Sequence, residues 1–583
     1  MGKGGRALLS AAAASGRLRL LCLLACFALG EGIRRAIRLE KTSSVPSAAA
    51  AAAAEPLSAK VFGTAFTAFF GLLVLQLLMM PRRWKEVDGP ANTDPTMTWR
   101  EDNGKSKLVP LHHPRREGAP PLPKFTLDEV AKHCTMDDLW VCIDERAYDL
   151  TKFAARHPGG IGPVINMAGK DCSDVFANYH AARIYKTMLP SMLVGEVVGV
   201  EKIPHVEAFR AARQEMLRRG LFETDYRFYG MHGCWLASLF TGALYLSLGC
   251  ASLSAHLAGA AVMGVFWQQL AGLGHDLGHS GVTHDFHLDH RIGSALAFFM
   301  GLSVCWWKSD HNTHHVVCNA VEHDPNIQHM PLLAVTPKIF EKARFWDTYH
   351  KKWVGMDAAA RFLVSHQHLF FYPVMALARL NLYIQGLIFL LSKPDTVHYQ
   401  RTELTCLLGF GVWCASVVAA MPSWGEAVAW VLVSHAVAGI LHVQIVLSHW
   451  SMHCYKGRAY TGKDDEWYIT QLRTTMNVDT HPWFDWVHIG LQFQVEHHLF
   501  PRLPRHNLRA AREMVKAIAE EHFPKGDARF PTGHAYHEPG FFAGNLEMWR
   551  QLKTTAMAAR ESKRDGVTGF YESALWDGLN ITG

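Results

Sequence analysis

The sequence predicts a multi-domain membrane protein: a small α+β domain, then an all-α domain of two transmembrane helical hairpins with a cytosolic cap, and a separate transmembrane segment ahead of both. Three observations predict it. Of 583 residues, 49% are hydrophobic and only 19% charged, which is little charge for a soluble chain of this size. Uncharged apolar runs of bilayer length recur along the chain. One stretch, 124–202, lacks such runs and mixes short β-like segments such as LWVCI (139–143) with helical patterns.

Each element follows in order. Residues 1–60 read as a targeting or low-complexity segment. A short apolar stretch at 18–30 is flanked by Arg17, Arg19, Arg34 and Arg35, and seven consecutive Ala fill 48–54. Residues 61–80 carry no charge and are long enough to cross a bilayer. Arg82, Arg83 and Lys85 follow, which places that end in the cytosol. Seven prolines between 86 and 123 mark 81–122 as a flexible linker. The soluble α+β domain takes 123–202, and 205–229 reads as a basic amphipathic helix on the membrane surface.

The all-α domain, 203–555, has apolar runs at 231–250 and 253–273, then at 404–421 and 427–447, the last two flanking the turn-like Pro422–Glu426. A further run, 367–392, contains Arg379 and Asn381 and is read as interfacial rather than spanning. Two hairpins return the chain to the side it left, so 274–366 and 448–583 share the cytosolic face with 82–230. Residues 556–583 form a tail. The net charge of +6 comes with no aromatic–basic stripe, so nothing suggests nucleic acid. The 12 Cys include no CxxC pair, so neither a disulfide framework nor a zinc ribbon is supported.

The unusual number is 34 His. Histidine is costly in lipid and needs a reason there. His157 opens the turn His157-Pro158-Gly159-Gly160, and a second His, His180, ends FANYH (176–180). Two imidazoles from facing loops can hold a haem iron from both sides, leaving it an electron carrier. Three clusters lie further on. HDLGH sets His275 and His279 at i and i+4; HNTHH sets His311, His314 and His315 at i, i+3 and i+4; QVEHH repeats that spacing with Gln494 first, then His497 and His498. Each spacing puts its side chains on one helical face, and all three clusters fall on one side of the predicted membrane. Imidazole suits iron, zinc and copper. Zinc has no redox chemistry and would give an attached haem nothing to do. The carboxylate-rich pattern of soluble di-iron bundles is absent.

FTLDEVAKH, LWVCIDERAYDLTKFAARHPGG, AGKDCSDVFANYH and LVGEVVGV together resemble the cytochrome b5 fold. HDLGH, HNTHH and QVEHH, with WWK before the second box, EHDPNI after it, ARLNLYIQ, and GLQFQVEHHLFPRLPRHNLR around the third, resemble the front-end lipid desaturases over about residues 123–555. The resemblance implies that haem b is held by His157 and His180. It implies that two non-haem irons are held by His275, His279, His311, His314, His315, His497 and His498, with Gln494 as the front-end mark. His449, just after the last span, stands where such enzymes place an additional ligand.

Implied partners are a lipid chain, O2 and an NADH-cytochrome b5 reductase. The implied location is the endoplasmic reticulum, or a plastid, with haem and histidine boxes facing the cytosol. Among substrates, HDLGH followed by a Thr-His pair most resembles enzymes acting at carbon 8 of sphingoid bases; Δ5, Δ6 or Δ8 polyunsaturated acyl desaturation is the alternative. A membrane-anchored electron carrier without catalysis is the reading of another class. Two departures from the family pattern, Ile489 before Gly490 and Thr480-His481-Pro482, fall near the third box. His284, His287 and His290, and the aromatic pairs at 266–267, 298–299 and 306–307, read as interfacial. His323, His366, His368, His435 and His442 read as satisfied hydrogen-bonding residues.

Overall fold

The computed structural model describes residues 94–115, 117–341, 344–347, 352–392, 398–460 and 465–562. The 1–60 segment, the 61–80 span and the tail from 563 lie outside the described residues.

Inside the stretch read as a flexible linker, residues 97–110 instead form a hairpin, β1 (Met97–Asp102) and β2 (Lys105–Pro110). Its turn is Asn103-Gly104, both at positive φ, the geometry that matches strand twist in two-residue hairpins. Trp99 N–H and Thr98 Oγ1 bond Gln214, and Arg100 pairs with Asp144 at 2.7 Å while covering the Tyr185 ring. The hairpin is a strap across the domains.

The α+β domain is a five-stranded sheet in the order β3-β7-β6-β5-β4 (Lys124–Phe125, Leu193–Val197, Arg146–Asp149, Asp138–Ile143, Cys134–Thr135). Only β3 and β7 run parallel. Asp144 and Glu145, both at positive φ, close the β5–β6 turn. Against the sheet lie α1 (Leu127–Val130), α2 (Ile161–Asn166), α3 (Ser173–Tyr179) and α4 (Ala182–Thr187). Thr126 caps α1 in a reciprocal box with Glu129.

The helical domain opens with α5 (Pro204–Arg218), whose Phe209 stacks on Tyr468 at 4.6 Å. The basic helix expected on the membrane surface therefore docks on protein. Next come α6 (Tyr226–Leu244) and α7 (Leu253–Gly278), packed together, then α8 (Phe286–Met300) and α9 (Val304–Val316). The rest are α10 (Ala358–Ser392), α11 (Gln400–Ala419), α12 (Trp424–Ala438), α13 (Ile440–Trp450), α14 (Trp467–Thr474), α15 (Gln494–Leu499), α16 (Leu508–His522) and α17 (Phe541–Glu561).

By length and composition, four helices among the described residues can cross a membrane: 253–278, 358–392, 400–419 and 424–450. This changes the expected two-hairpin set. The run at 231–250 is divided between α6 and a π-helical turn, Tyr245–Gly249, and is not among the four, whereas the run taken as interfacial is part of the 35-residue α10. Arg379 had argued against a span there. Its guanidinium is fully buried, bonded to Met300 O and Tyr383 and set 5.0 Å over the Trp267 ring, so the charge faces the bundle rather than lipid.

Candidate haem and metal centres

The three boxes and His449 come together from four helices. The C-terminal end of α7 supplies His275 and His279, α9 supplies His311, His314 and His315, α13 supplies His449, and α15 supplies His497 and His498. Two groups result. In the first, ligand atoms of His275, His279, His311 and His497 all lie within 4.8 Å of one another. His315 joins it, with Nε2 3.0 Å from His311 Nε2 and 3.1 Å from His497 Nε2. In the second, His314, His449 and His498 gather with ring centroids 4.7–5.1 Å apart, and the His315 ring stacks on His498 at 4.0 Å. Gln494 is buried at the start of α15.

These residues fit a pair of metal ions. Buried imidazole nitrogens without a protein partner include both of His279, Nδ1 of His315 and Nε2 of His498. Each such atom left bare costs ~1–3 kcal/mol; a cation removes that cost. In the second group the Nδ1 atoms are tied from behind. His314 Nδ1 donates to Asp324 at 2.9 Å, His498 Nδ1 to Gln471 Oε1 at 3.0 Å, and His449 Nδ1 faces Thr474 O at 3.4 Å. That leaves Nε2 of each free to coordinate, the usual way an outer partner fixes tautomer and ring orientation. Cys318 sits with Sγ 3.4 Å from His449 Nδ1. Its Sγ also lies within 4.8 Å of ligand atoms of His314, His449 and His498, so it completes the second group. Burial, reinforced by neighbouring imidazoles, holds His311, His315, His497 and His498 well below the ordinary imidazole range. Neutral imidazole is the form that binds metal.

Trp307, placed at the interface from sequence, instead stacks on His311 at 4.3 Å and meets His275 and His279 edge-on. A Cβ on Gly278 would stand 2.0 Å from its ring, which explains the glycine inside HDLGH. His284 and His290 are likewise buried rather than interfacial; His284 bonds Thr224 and His290 meets Cys305 Sγ at 3.2 Å. His290, Cys305 and Glu403 form a third compact group. The Glu403 carboxylate already accepts Ser294, Ser303 and Cys305 N–H, so this group clamps α8, α9 and α11. His366 and His435 bond backbone carbonyls as expected, and His442 does so through Nδ1, but His442 Nε2 and His368 Nδ1 are buried without a partner.

In the α+β domain, His157 and His180 face each other with centroids 6.0 Å apart. Two metal–imidazole bonds of roughly 2 Å each fit that gap. Their Nδ1 atoms bond Gly160 O at 2.8 Å and Phe176 O at 3.1 Å, so both Nε2 atoms are free for iron. Burial pushes both imidazoles down, His180 to about 3. The pocket lies against α9. Asn312 Nδ2 donates to Gly159 O at 3.2 Å, and a Cβ on Gly162 would stand 2.2 Å from Thr313 Oγ1. The Asn and Thr inside HNTHH therefore seat the domain. Arg502 ties the corner together through Glu101 Oε2, His284 O and Tyr179 O.

Sequence reasoning missed Asp324, Gln471, Trp307 and Arg502. Asp324 stood in view within EHDPNI, without a role; Gln471 carried no signal.

A bis-imidazole haem pocket resting on paired polyhistidine metal groups, beside apolar helices of bilayer length, defines an electron-fed, oxygen-using membrane oxidoreductase. Comparison with known proteins gives the family. The fatty acid desaturase profile matches residues 252–527, and the cytochrome b5-like haem/steroid-binding domain profile matches 126–198. An acyl-lipid (9-3)-desaturase of Borago officinalis is 35% identical over 79% of this chain and 98% of its own length. A Δ8-fatty-acid desaturase of Helianthus annuus is 33% identical over 79% and 96%. A Δ8-(E)-sphingolipid desaturase of Emericella nidulans is 35% identical over 60% and 62%. The chain belongs to the fatty acid desaturase family, as a front-end desaturase with a cytochrome b5 domain fused ahead of the catalytic helices. Its cofactors are haem and a pair of non-haem irons.

Proposed function

We propose that the chain desaturates a sphingoid base at carbon 8, from the cytosolic face of the endoplasmic reticulum, with electrons entering from an NADH-cytochrome b5 reductase. In this reading His157 and His180 hold the haem. His275, His279, His311, His315 and His497 hold one iron; His314, His449 and His498 hold the other. The haem supplies single electrons and the iron pair supplies oxygen activation. The balance is one O2, two substrate hydrogens, two electrons and two protons, giving a double bond and two waters.

The chain's own part is to orient and exclude. Asp324 and Gln471 keep His314 and His498 turned with Nε2 inward. Trp307 walls the first group. The helices α7 and α13, which bear these histidines at their ends, fall within candidate spans, which would bring a lipid chain from the bilayer to the site.

The observation that carries the catalytic reading is the convergence of eight imidazoles into two groups, the second with its rear nitrogens tied; dispersed histidines would have favoured a mere electron carrier. For the substrate, carbon 8 recurs in the names of the sunflower and Emericella relatives. A second reading, acyl-lipid desaturation, is favoured by the borage relative, which aligns over 98% of its length. Lipid extracts of yeast expressing the chain decide. A new Δ8 sphingoid base, absent with His314→Ala, is the expected result. A new polyunsaturated acyl chain from fed precursors, with unchanged sphingoid bases, would replace the first reading by the second.

A further inference from the structure

Tyr179 lies between the haem pocket and the metal groups. It is the residue before His180. Its ring meets that of His315 edge-on, centroids 6.2 Å apart at 85°. His315 in turn is in contact with His311 and His497 of the first group and stacks on His498 of the second. The Tyr179 hydroxyl is buried and makes no hydrogen bond, an unfavourable arrangement for a polar group, so the ring rather than the hydroxyl accounts for the residue's place. Arg502 pins the segment by donating to Tyr179 O at 3.3 Å.

We propose that Tyr179 is the bridge over which electrons pass from the haem to the iron pair. The proposal rests on the ligand assignment above. Each transfer takes one electron from the reduced haem and delivers one to an oxidised iron; Tyr179 keeps its bonds and its proton. The competing contact, Asn312 Nδ2 to Gly159 O at 3.2 Å, starts two residues from His157 and must return through main chain to His311. The Tyr179 route needs one peptide link and one ring contact with a ligand shared between both groups.

The test is stopped-flow reoxidation of the ferrous haem in purified full-length protein carrying haem and iron, mixed with oxygen and lipid substrate. The rate is taken in excess of an iron-stripped sample. Tyr179→Phe should match wild type. Tyr179→Leu and Tyr179→Met should slow about tenfold, ~1.4 kcal/mol on the barrier, with haem spectrum, haem midpoint potential and iron content unchanged. Saturated variants that reoxidise at the wild-type rate overturn the bridge. So do saturated variants that lose haem or iron where Phe keeps both, since the ring would then be packing alone. A wild-type protein whose reoxidation is not accelerated by its iron would sink the ligand assignment itself, and is told apart by that control.

Discussion

Asp324→Asn probes the second metal group without touching a ligand. Asp324 is fully buried. Its Oδ2 accepts His314 Nδ1 at 2.9 Å and Asn319 N–H at 2.7 Å, and its Oδ1 accepts Asn326 N–H at 2.8 Å. Asparagine keeps the shape but has one acceptor oxygen. Two donors point at the Oδ2 position, so the amide oxygen settles there and the NH2 group faces Asn326 N–H. That stranded donor costs ~1–3 kcal/mol. The bond to His314 also loses its charge assistance, roughly half its strength. Removing an outer-shell partner of this kind lowers metal affinity ~10–100-fold, or ~1.4–2.8 kcal/mol. Elemental analysis after graded chelator dialysis should show the variant losing about one non-haem iron at concentrations that leave wild type loaded, while the haem absorbance is unchanged. The reasoning fails if both irons leave together, or if iron retention matches wild type.

Three further outcomes are expected. His157→Ala and His180→Ala should each abolish the haem absorbance yet keep the non-haem iron, because neither ring contacts the metal groups; elemental analysis beside a visible spectrum checks it. Gly162→Ala drives a methyl group into Thr313 Oγ1, which already donates to Ser309 O at 3.0 Å. It should keep haem and iron but slow haem reoxidation, and Gly162→Ala with Thr313→Ala should restore the rate. In the haem-free protein, His180 is held down to about 3 by burial against an unfolded value of about 6.5. The unfolded chain therefore takes up a proton first as pH falls. Stability from neutral His180 is present above pH 6.5 and is lost between about 6.5 and 3. Thermal melts at pH 7 and pH 5 should show the lower midpoint at pH 5, a difference that His180→Phe narrows.

Much of the site was legible because its signals are local. Spacings of three and four residues put imidazoles on one helical face whatever the tertiary context, so the boxes could be read without knowing what they face. His449 was legible by position at the end of an apolar run. The contacts around the boxes are set by partners far along the chain. Gln471 serves His498, Arg502 reaches back to Glu101 and Tyr179, and Trp307 is a box wall only because Gly278 leaves room for it. The 97–110 strap shows a different failure. The Asn103-Gly104 turn was a plain hairpin signal, outweighed by prolines. Pro95 precedes the first strand and Pro110 ends the second, so neither removes a bond from the ladder interior, where proline would count against a strand. Arg379 is the sharpest case. A hydropathy reading charges every arginine the full cost of lipid exposure, yet this one gives Nε to Tyr383, Nη2 to Met300 O and its face to Trp267. Whether a charge excludes a span depends on which way it points, and the apolar residues around it in sequence cannot say that; only the helices packed against it can.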